Sequence, residues 1–268
     1  MAKSATRRVG SAAKRAVAPS RAPVRRQPRC YSPLQYGPAV PRKAVAAACR
    51  QTRYSTTGER TMPVIAVVNP KGGVGKSTVA TNLAGYFAAT NRPVMLGDLD
   101  SQQSSRNWLG FRPGSAPTID TWEMRGRAAR PPKGVTHVVI DTPAQFTVER
   151  LVRMMPGIDK ILVPMQPSMF DIQATADFLR ELKRAMNDDR RFRETVGIVG
   201  VRIDPRTRAA EELARFIAEM DLTVAGYLRD TQAYVQLAAH GLTLFDATSM
   251  QDERDLATWK PLINWVVH

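Results

Sequence analysis

The stretch Val64-Ile65-Ala66-Val67-Val68-Asn69-Pro70-Lys71-Gly72-Gly73-Val74-Gly75-Lys76-Ser77-Thr78 runs from a β-branched segment through a glycine-rich turn into a helical pattern. The continuous run at 64–69 predicts a strand covered on both faces. Glycine at 72, 73 and 75 lets the chain wrap closely enough for its N–H groups to point at phosphate oxygens. The helix that starts near Ser77 adds the partial positive charge of its N-terminus. In this strand–loop–helix setting Lys76 is expected to reach the β- and γ-phosphates of ATP, and the Ser77 hydroxyl to ligate Mg²⁺. Gly72, Gly73, Val74, Gly75, Lys76, Ser77 and Thr78 form the expected nucleotide cradle.

Downstream of the loop, buried strands alternate with amphipathic helices. The pattern predicts helices at 77–90, 104–109, 147–155, 170–187, 208–220, 231–240 and 252–267. Strands are expected at 94–98, 137–141, 160–164, 196–203 and 222–227. Alternation of this kind implies an α/β fold, doubly wound, with a mostly parallel sheet and helices on both faces. Acidic residues fall where such folds hold ligands, at the carboxyl ends of strands. Asp98-Leu99-Asp100 closes the second strand, and Val138-Val139-Ile140-Asp141 closes the next.

Charge is distributed unevenly. The formal net charge is +15, yet residues 1–58 contain 13 of the 39 Lys and Arg and none of the 24 acids. Beyond residue 58 the remaining 26 basic residues face 24 acids, so the bulk charge describes a tail and not the folded part. Residues 1–61 are rich in Ala, Arg, Pro and Ser, lack apolar periodicity, and are expected to be disordered. Three identities fit them: an organellar transit peptide, a nucleic-acid-binding arm, or an over-long start preceding a true Met62. The expected ATPase domain is then 62–268. Both cysteines, Cys30 and Cys49, lie in the tail. The core therefore has no disulfide framework, no zinc ligand set and no cluster-ligating thiols, which fits a reducing, cytoplasmic setting. No apolar run is long enough to span a membrane, so the chain reads as soluble.

The loop departs from the ordinary G-x-x-x-x-G-K-S/T pattern in having Lys71 directly before Gly72-Gly73. In this it resembles the ParA/MinD family, whose deviant Walker A motif is K-G-G-x-G-K-S/T, and it matches every fixed position. The resemblance implies that Lys71 is the signature lysine, which crosses a dimer interface to the partner's nucleotide, so that ATP would join two subunits. A second cation neutralises phosphate charge only when the subunits face each other. Asp98-Leu99-Asp100-Ser101-Gln102-Gln103 resembles the family's D-x-D-x-Q segment, with Ser in place of a common Pro. By that likeness Asp100 polarises the attacking water and Asp98 lies near Mg²⁺; the plainer alternative is that both acids cap the following helix. Asp141 matches the Walker B aspartate that holds Mg²⁺.

The likeness extends through Val163-Pro164-Met165-Gln166-Pro167-Ser168 with Asp171, and through Tyr227-Leu228-Arg229-Asp230 to Gly241 and Leu244-Phe245-Asp246. The short span between Asp100 and Asp141, with Arg125, Arg127, Arg130 and Lys133, is similar to small ParA-like proteins, including carboxysome-positioning relatives. The resemblance implies an ATP-dependent homodimer, non-specific DNA, and a ParB-like or other cargo adaptor. Lys183, Arg184, Arg190, Arg191 and Arg193, with Arg202, Arg206, Arg208 and Arg215, are the candidate DNA contacts. Localisation on the nucleoid would follow. The MinD side of the family instead holds membrane through a C-terminal amphipathic helix. Here Trp259, Lys260, Leu262, Ile263 and Trp265 are interrupted by Pro261 and preceded by Asp252, Glu253 and Asp255, so a core-packing helix is expected. Intact Asp100 and Asp141 speak against a non-hydrolysing scaffold.

Overall fold

In the computed structural model the described residues are 63–122, 136–247 and 252–268. The tail, Met62, Arg125, Arg127, Arg130 and Lys133 lie outside them. Seven strands form one sheet: β1 (Val64–Val67), β2 (Val94–Asp98), β3 (Asp120–Trp122), β4 (His137–Asp141), β5 (Lys160–Met165), β6 (Val196–Ile203) and β7 (Thr223–Arg229). Their order is β3-β2-β4-β1-β5-β6-β7, and every pairing is parallel. The helices are α1 (Lys76–Ala89), α2 (Ser104–Gly110), α3 (Val148–Met154), α4 (Met169–Met186), α5 (Asp189–Thr195), α6 (Arg208–Glu219), α7 (Ala233–Ala238) and α8 (Asp252–Val267).

Strand alternation sends side chains into two separate cores. Val64, Ala66 and Val68 pack with Leu151, Leu179, Phe192 and Leu213 under the layer formed by α3 to α6. Ile65 and Val67 pack with Leu83, Phe87, Trp108 and Trp259 under α1, α2 and α8. A sheet buried on both faces needs apolar residues at every strand position, which accounts for the unbroken runs in the sequence. Trp259, Leu262 and Val266 of α8 are buried in the second core, as expected for a packing helix. Among the described residues no helix is long and apolar enough to cross a membrane.

Two elements depart from the sequence expectation. The edge strand β3 has only three residues, too few to show a period. Helix α5, Asp189-Arg190-Arg191-Phe192-Arg193-Glu194-Thr195, buries only Phe192 and Thr195, so its apolar signal is nearly absent. Its start is fixed by Asp188, whose side chain accepts the Arg191 amide.

Candidate nucleotide site

The site forms where β1 ends. The predicted run 64–69 leaves the sheet after Val67, and Asn69 is fully buried. Asn69 Nδ2 donates to the Pro164 carbonyl at 2.7 Å and to Thr175 Oγ1 at 3.0 Å, while its Oδ1 accepts the Lys71 amide at 2.8 Å. One amide side chain thus joins the loop entry to β5 and α4. Gln166 Nε2 donates to the Gly73 carbonyl at 2.8 Å, and the Gln145 amide donates to the Pro70 carbonyl at 2.8 Å. These three contacts fix the outer wall of the loop. The ties to Pro164, Thr175 and Gln166 are not visible in local sequence, because each spans more than 90 residues.

Gly73 and Gly75 have φ of +76° and +87°, the left-handed region that favours glycine. Gly75 begins α1 with no side-chain cap and no acid in the first turn. The first amides of α1 and their partial charge are therefore left to an external anion. Val74 is buried as an anchor, whereas Gly72 and Gly73 are exposed. The Thr78 carbonyl accepts from Asn82 Nδ2 at 2.9 Å, which ties the first turn of α1 together.

Lys76 lies in the interior, and its Nζ donates to the Lys71 carbonyl at 2.8 Å. Burial lowers its pKa, opposed by the nearby Asp141 and Asp100 carboxylates. Asp141 at the end of β4 and Asp100 just past the end of β2 therefore both act on the same ammonium. Asp141 is almost fully buried, and its Oδ1 has no hydrogen-bond partner among the described residues. Burial, with the neighbouring Asp98 carboxylate, raises its pKa to about 6, against the pull of Ser77, Ser105 and Lys76. A buried carboxylate oxygen without a partner, beside the Ser77 hydroxyl, is a donor set suited to a hard divalent cation such as Mg²⁺.

Asp98 is placed differently. Its Oδ2 accepts from the Ser105 amide (2.9 Å), Ser105 Oγ (2.9 Å) and the Arg106 amide (3.1 Å), and its Oδ1 from the Asp100 amide (2.9 Å). Those bonds make it the anchor of α2, as the capping alternative expects. Among the described residues Asp100 Oδ1 accepts the Gln102 amide, at 3.0 Å.

Lys71 stands at the rim, 44% exposed, with its Nζ 3.4 Å from Asp171 Oδ1. The next turn of chain carries Met169 and Phe170, which are 69% and 79% exposed. The basic residues at 183–215 separate into two groups at opposite ends of the sheet. Lys183 to Arg193 lie where α4 and α5 lead into the amino end of β6, whereas Arg202 lies in β6 next to its carboxyl end, Arg206 and Arg208 follow it, and Arg215 is on α6. Several are paired with acids: Lys183 with Asp189, Arg190 with Glu194, Arg193 with Asp221, and Arg206 with Asp204.

The CobQ/CobB/MinD/ParA nucleotide-binding domain family matches residues 65–244. The chain belongs to that family. Among relatives of this ParA/MinD-like chain, the maintenance of carboxysome distribution protein A of Gloeobacter kilaueensis is 29% identical, covering 68% of this chain and 83% of that one. The chromosome-partitioning ATPase Soj of Thermus thermophilus is 28% identical over 56% of this chain and 73% of its own. The fold matches MinD of Aquifex aeolicus at a TM-score of 0.56 and 15% identity, covering 75% of this chain and 97% of that one. It matches a plasmid partition protein of Borrelia burgdorferi bound to AMPPNP at a TM-score of 0.56 and 14% identity, over 76% and 97%.

The raised pKa of Asp141 has a consequence that can be measured in the ParA/MinD-like chain itself. A native carboxyl that holds its proton more tightly than the unfolded chain contributes stability below its ordinary range. That contribution is lost as pH rises through about 6. Asp141→Asn is expected to melt above the wild type well above pH 6, by roughly 3 kcal/mol of stability, with the difference vanishing near pH 4. Parallel melting curves across this range would contradict the raised pKa that burial gives this carboxyl.

Proposed function

We propose that the chain is a partition or positioning ATPase that closes into a homodimer on ATP, holds DNA without sequence preference, and moves a cargo through an adaptor that stimulates hydrolysis. The observation carrying this reading is the placement of Lys71: a half-exposed cation at the rim of the phosphate loop, paired with Asp171 of its own chain. From that position Lys71 can exchange Asp171 for a phosphate presented by a second subunit. Beside it, Met169 and Phe170 offer apolar surface that a second copy would cover.

In this reading the loop amides and Lys76 hold the triphosphate, giving up the Lys76 bond to the Lys71 carbonyl. Ser77 and Asp141 hold Mg²⁺, with Asp98 supporting the site from behind through α2. When bound, Mg²⁺ neutralises charge on the β- and γ-phosphate oxygens. Asp100 keeps one carboxylate oxygen free to orient a water toward the terminal phosphate. Transfer to water releases phosphate and leaves ADP, after which Lys71 returns to Asp171 and the dimer opens. Nucleotide state then shifts the population between monomer and dimer.

DNA binding would be electrostatic and would scale with the number of phosphates contacted. Arg206 and Arg208 lie at the carboxyl end of the sheet, as the loop does, so dimer closure would double them. The group from Lys183 to Arg193 is remote from that seam. A ParB-like or other adaptor and a nucleoid location belong to the same proposal. The membrane-bound alternative requires a free apolar helix, whereas α8 commits Trp259, Leu262 and Val266 to the core.

The test is light scattering with AMP-PNP and with ADP. The wild type should dimerise only with AMP-PNP. Lys71→Ala and Phe170→Glu should stay monomeric while still binding ADP. Dimerisation of either variant equal to that of the wild type would contradict the assigned seam. DNA affinity of the AMP-PNP form should fall linearly with log salt.

A further inference from the structure

Strand β1 hands over to the phosphate loop at a residue that cannot continue the ladder. The Val68 amide donates to the Leu162 carbonyl of β5 at 2.8 Å. Parallel pairing would give the next bond to the amide of residue 70, directed at the Pro164 carbonyl. Residue 70 is proline and has no N–H. Asn69 fills the place, its Nδ2 donating to that carbonyl at 2.7 Å. Repair of the ladder thus accounts for one of the three hydrogen bonds of a buried carboxamide.

The other two both lead to Lys71. Asn69 Oδ1 accepts the Lys71 amide at 2.8 Å. The second Nδ2 proton goes to Thr175 Oγ1 at 3.0 Å, and this hydroxyl donates in turn to the Asp171 carbonyl at 2.7 Å. Asp171 is the residue whose carboxylate pairs with the Lys71 ammonium. Lys71, Asn69, Thr175 and Asp171 therefore close a ring of polar contacts that grips Lys71 at its main chain and at the tip of its side chain. Asn69 and Thr175 are fully buried, so water does not stand in for either. Ser168, the N-cap of α4, makes no side-chain cap bond, and Thr175 reaches back to the turn that carries Met169, Phe170 and Asp171.

We propose that Asn69 and Thr175 are positioning residues for dimerisation on ATP: they tie the phosphate loop to the start of α4, so that Lys71 and the Met169–Phe170 surface meet a second subunit as one unit. Lys76 connects the ring to the ligand. Its Nζ donates to the Lys71 carbonyl at 2.8 Å, and when it turns to phosphate that carbonyl is released while the Lys71 amide stays on Asn69. Lys71 then turns about a fixed point, and its ammonium leaves Asp171 without the loop losing its place against α4. A hydroxyl that accepts from one neighbour and donates to the other transmits position, because a shift of either misaligns both bonds. The inference rests on the homodimer reading above.

Two substitutions at one position separate this role from packing. Thr175→Val keeps the shape of the side chain and removes the hydroxyl, whereas Thr175→Ser keeps the hydroxyl and removes a buried methyl. Both should melt below the wild type, by about 2–4 °C. Light scattering over a concentration series with AMP-PNP, and calorimetry with ADP, then tell them apart. The dissociation constant of the Thr175→Val dimer should rise about 10-fold while ADP binding stays within about twofold of the wild type. Thr175→Ser should dimerise as the wild type does. Should Thr175→Val not fold, Thr175→Ala against Thr175→Ser makes the same comparison. A Thr175→Val dimer as tight as the wild type would overturn the assignment. Equal weakening by valine and serine would also overturn it, since packing alone would then be at work, and so would a matching loss of ADP binding. If the wild type stayed monomeric with AMP-PNP, the homodimer reading would fall, and this inference with it.

Discussion

Lys76→Ala is expected to weaken ADP and ATP binding by about 100-fold or more, while the nucleotide-free protein melts no lower than the wild type. The two halves of this outcome have one cause. Lys76 is buried, and burial lowers its pKa, so the fold bears the cost of desolvating an ammonium that, among the described residues, donates to the Lys71 carbonyl and nothing else. Alanine removes that cost along with the charge. A bound triphosphate, by contrast, loses a charge-assisted contact in a site where water does not replace it. Calorimetry with ADP and a melting curve without nucleotide would separate the two. Retention of tight binding would contradict the assignment of the phosphate loop. Loss of binding together with a lower melting temperature would show that Lys76 holds the fold and not the ligand.

The same lysine shows what local sequence can and cannot reveal. That Lys76, Ser77, Asp100 and Asp141 come together was legible because each belongs to a short segment with a fixed relation to a strand end. Strands β2, β4 and β6 were legible to the residue, because double burial demands uninterrupted apolar runs. What stayed hidden depends on distant partners. Asn69 looks like a polar end to a strand, and only Pro164 and Thr175 make it a clamp. Arg112 looks like a loop cation until Asp246 is placed beside it. The irregularity of β6 at Arg202, where φ is +55°, leaves an ordinary strand pattern in the sequence, since arginine after valine gives no hint of a positive φ. The basic residues at 183–193 and at 202–215 are two runs in the sequence, and only the strand between them shows that the runs lead to opposite ends of the sheet. Asp98 illustrates a different limit: one residue type serves both metal binding and helix capping, and only its four amide and hydroxyl donors show which task occupies it here.

Asp246→Ala should lower stability by about 3–5 kcal/mol, a drop of roughly 10 °C in melting temperature for a domain of this size. Arg112 and Asp246 form a two-pronged ion pair with distances of 2.9 and 2.8 Å, and both side chains are buried. Arg112 also donates to the carbonyls of Pro117 (2.9 Å) and Gly241 (3.0 Å), so the guanidinium cannot turn to water without opening the segment. Removing the carboxylate leaves a buried cation without its counter-charge, and that penalty exceeds the net worth of the pair. Replacing both partners, as Arg112→Met with Asp246→Leu, should recover most of the loss. Full recovery is not expected, because the Thr243 amide and hydroxyl also donate to Asp246 and would lose their acceptor, at about 1 kcal/mol. The pair matters to the site through α1: the Leu244 amide donates to Asn82 Oδ1 at 3.0 Å, joining this segment to the helix whose N-terminus faces the phosphates. Asp246→Ala should therefore also weaken ADP binding, but by less than Lys76→Ala, because the loop amides remain in place. A variant with wild-type melting would mean that Arg112 finds another partner, and the tie between the late segment and α1 would then rest on Asn82 and on the Tyr86–Phe245 ring contact.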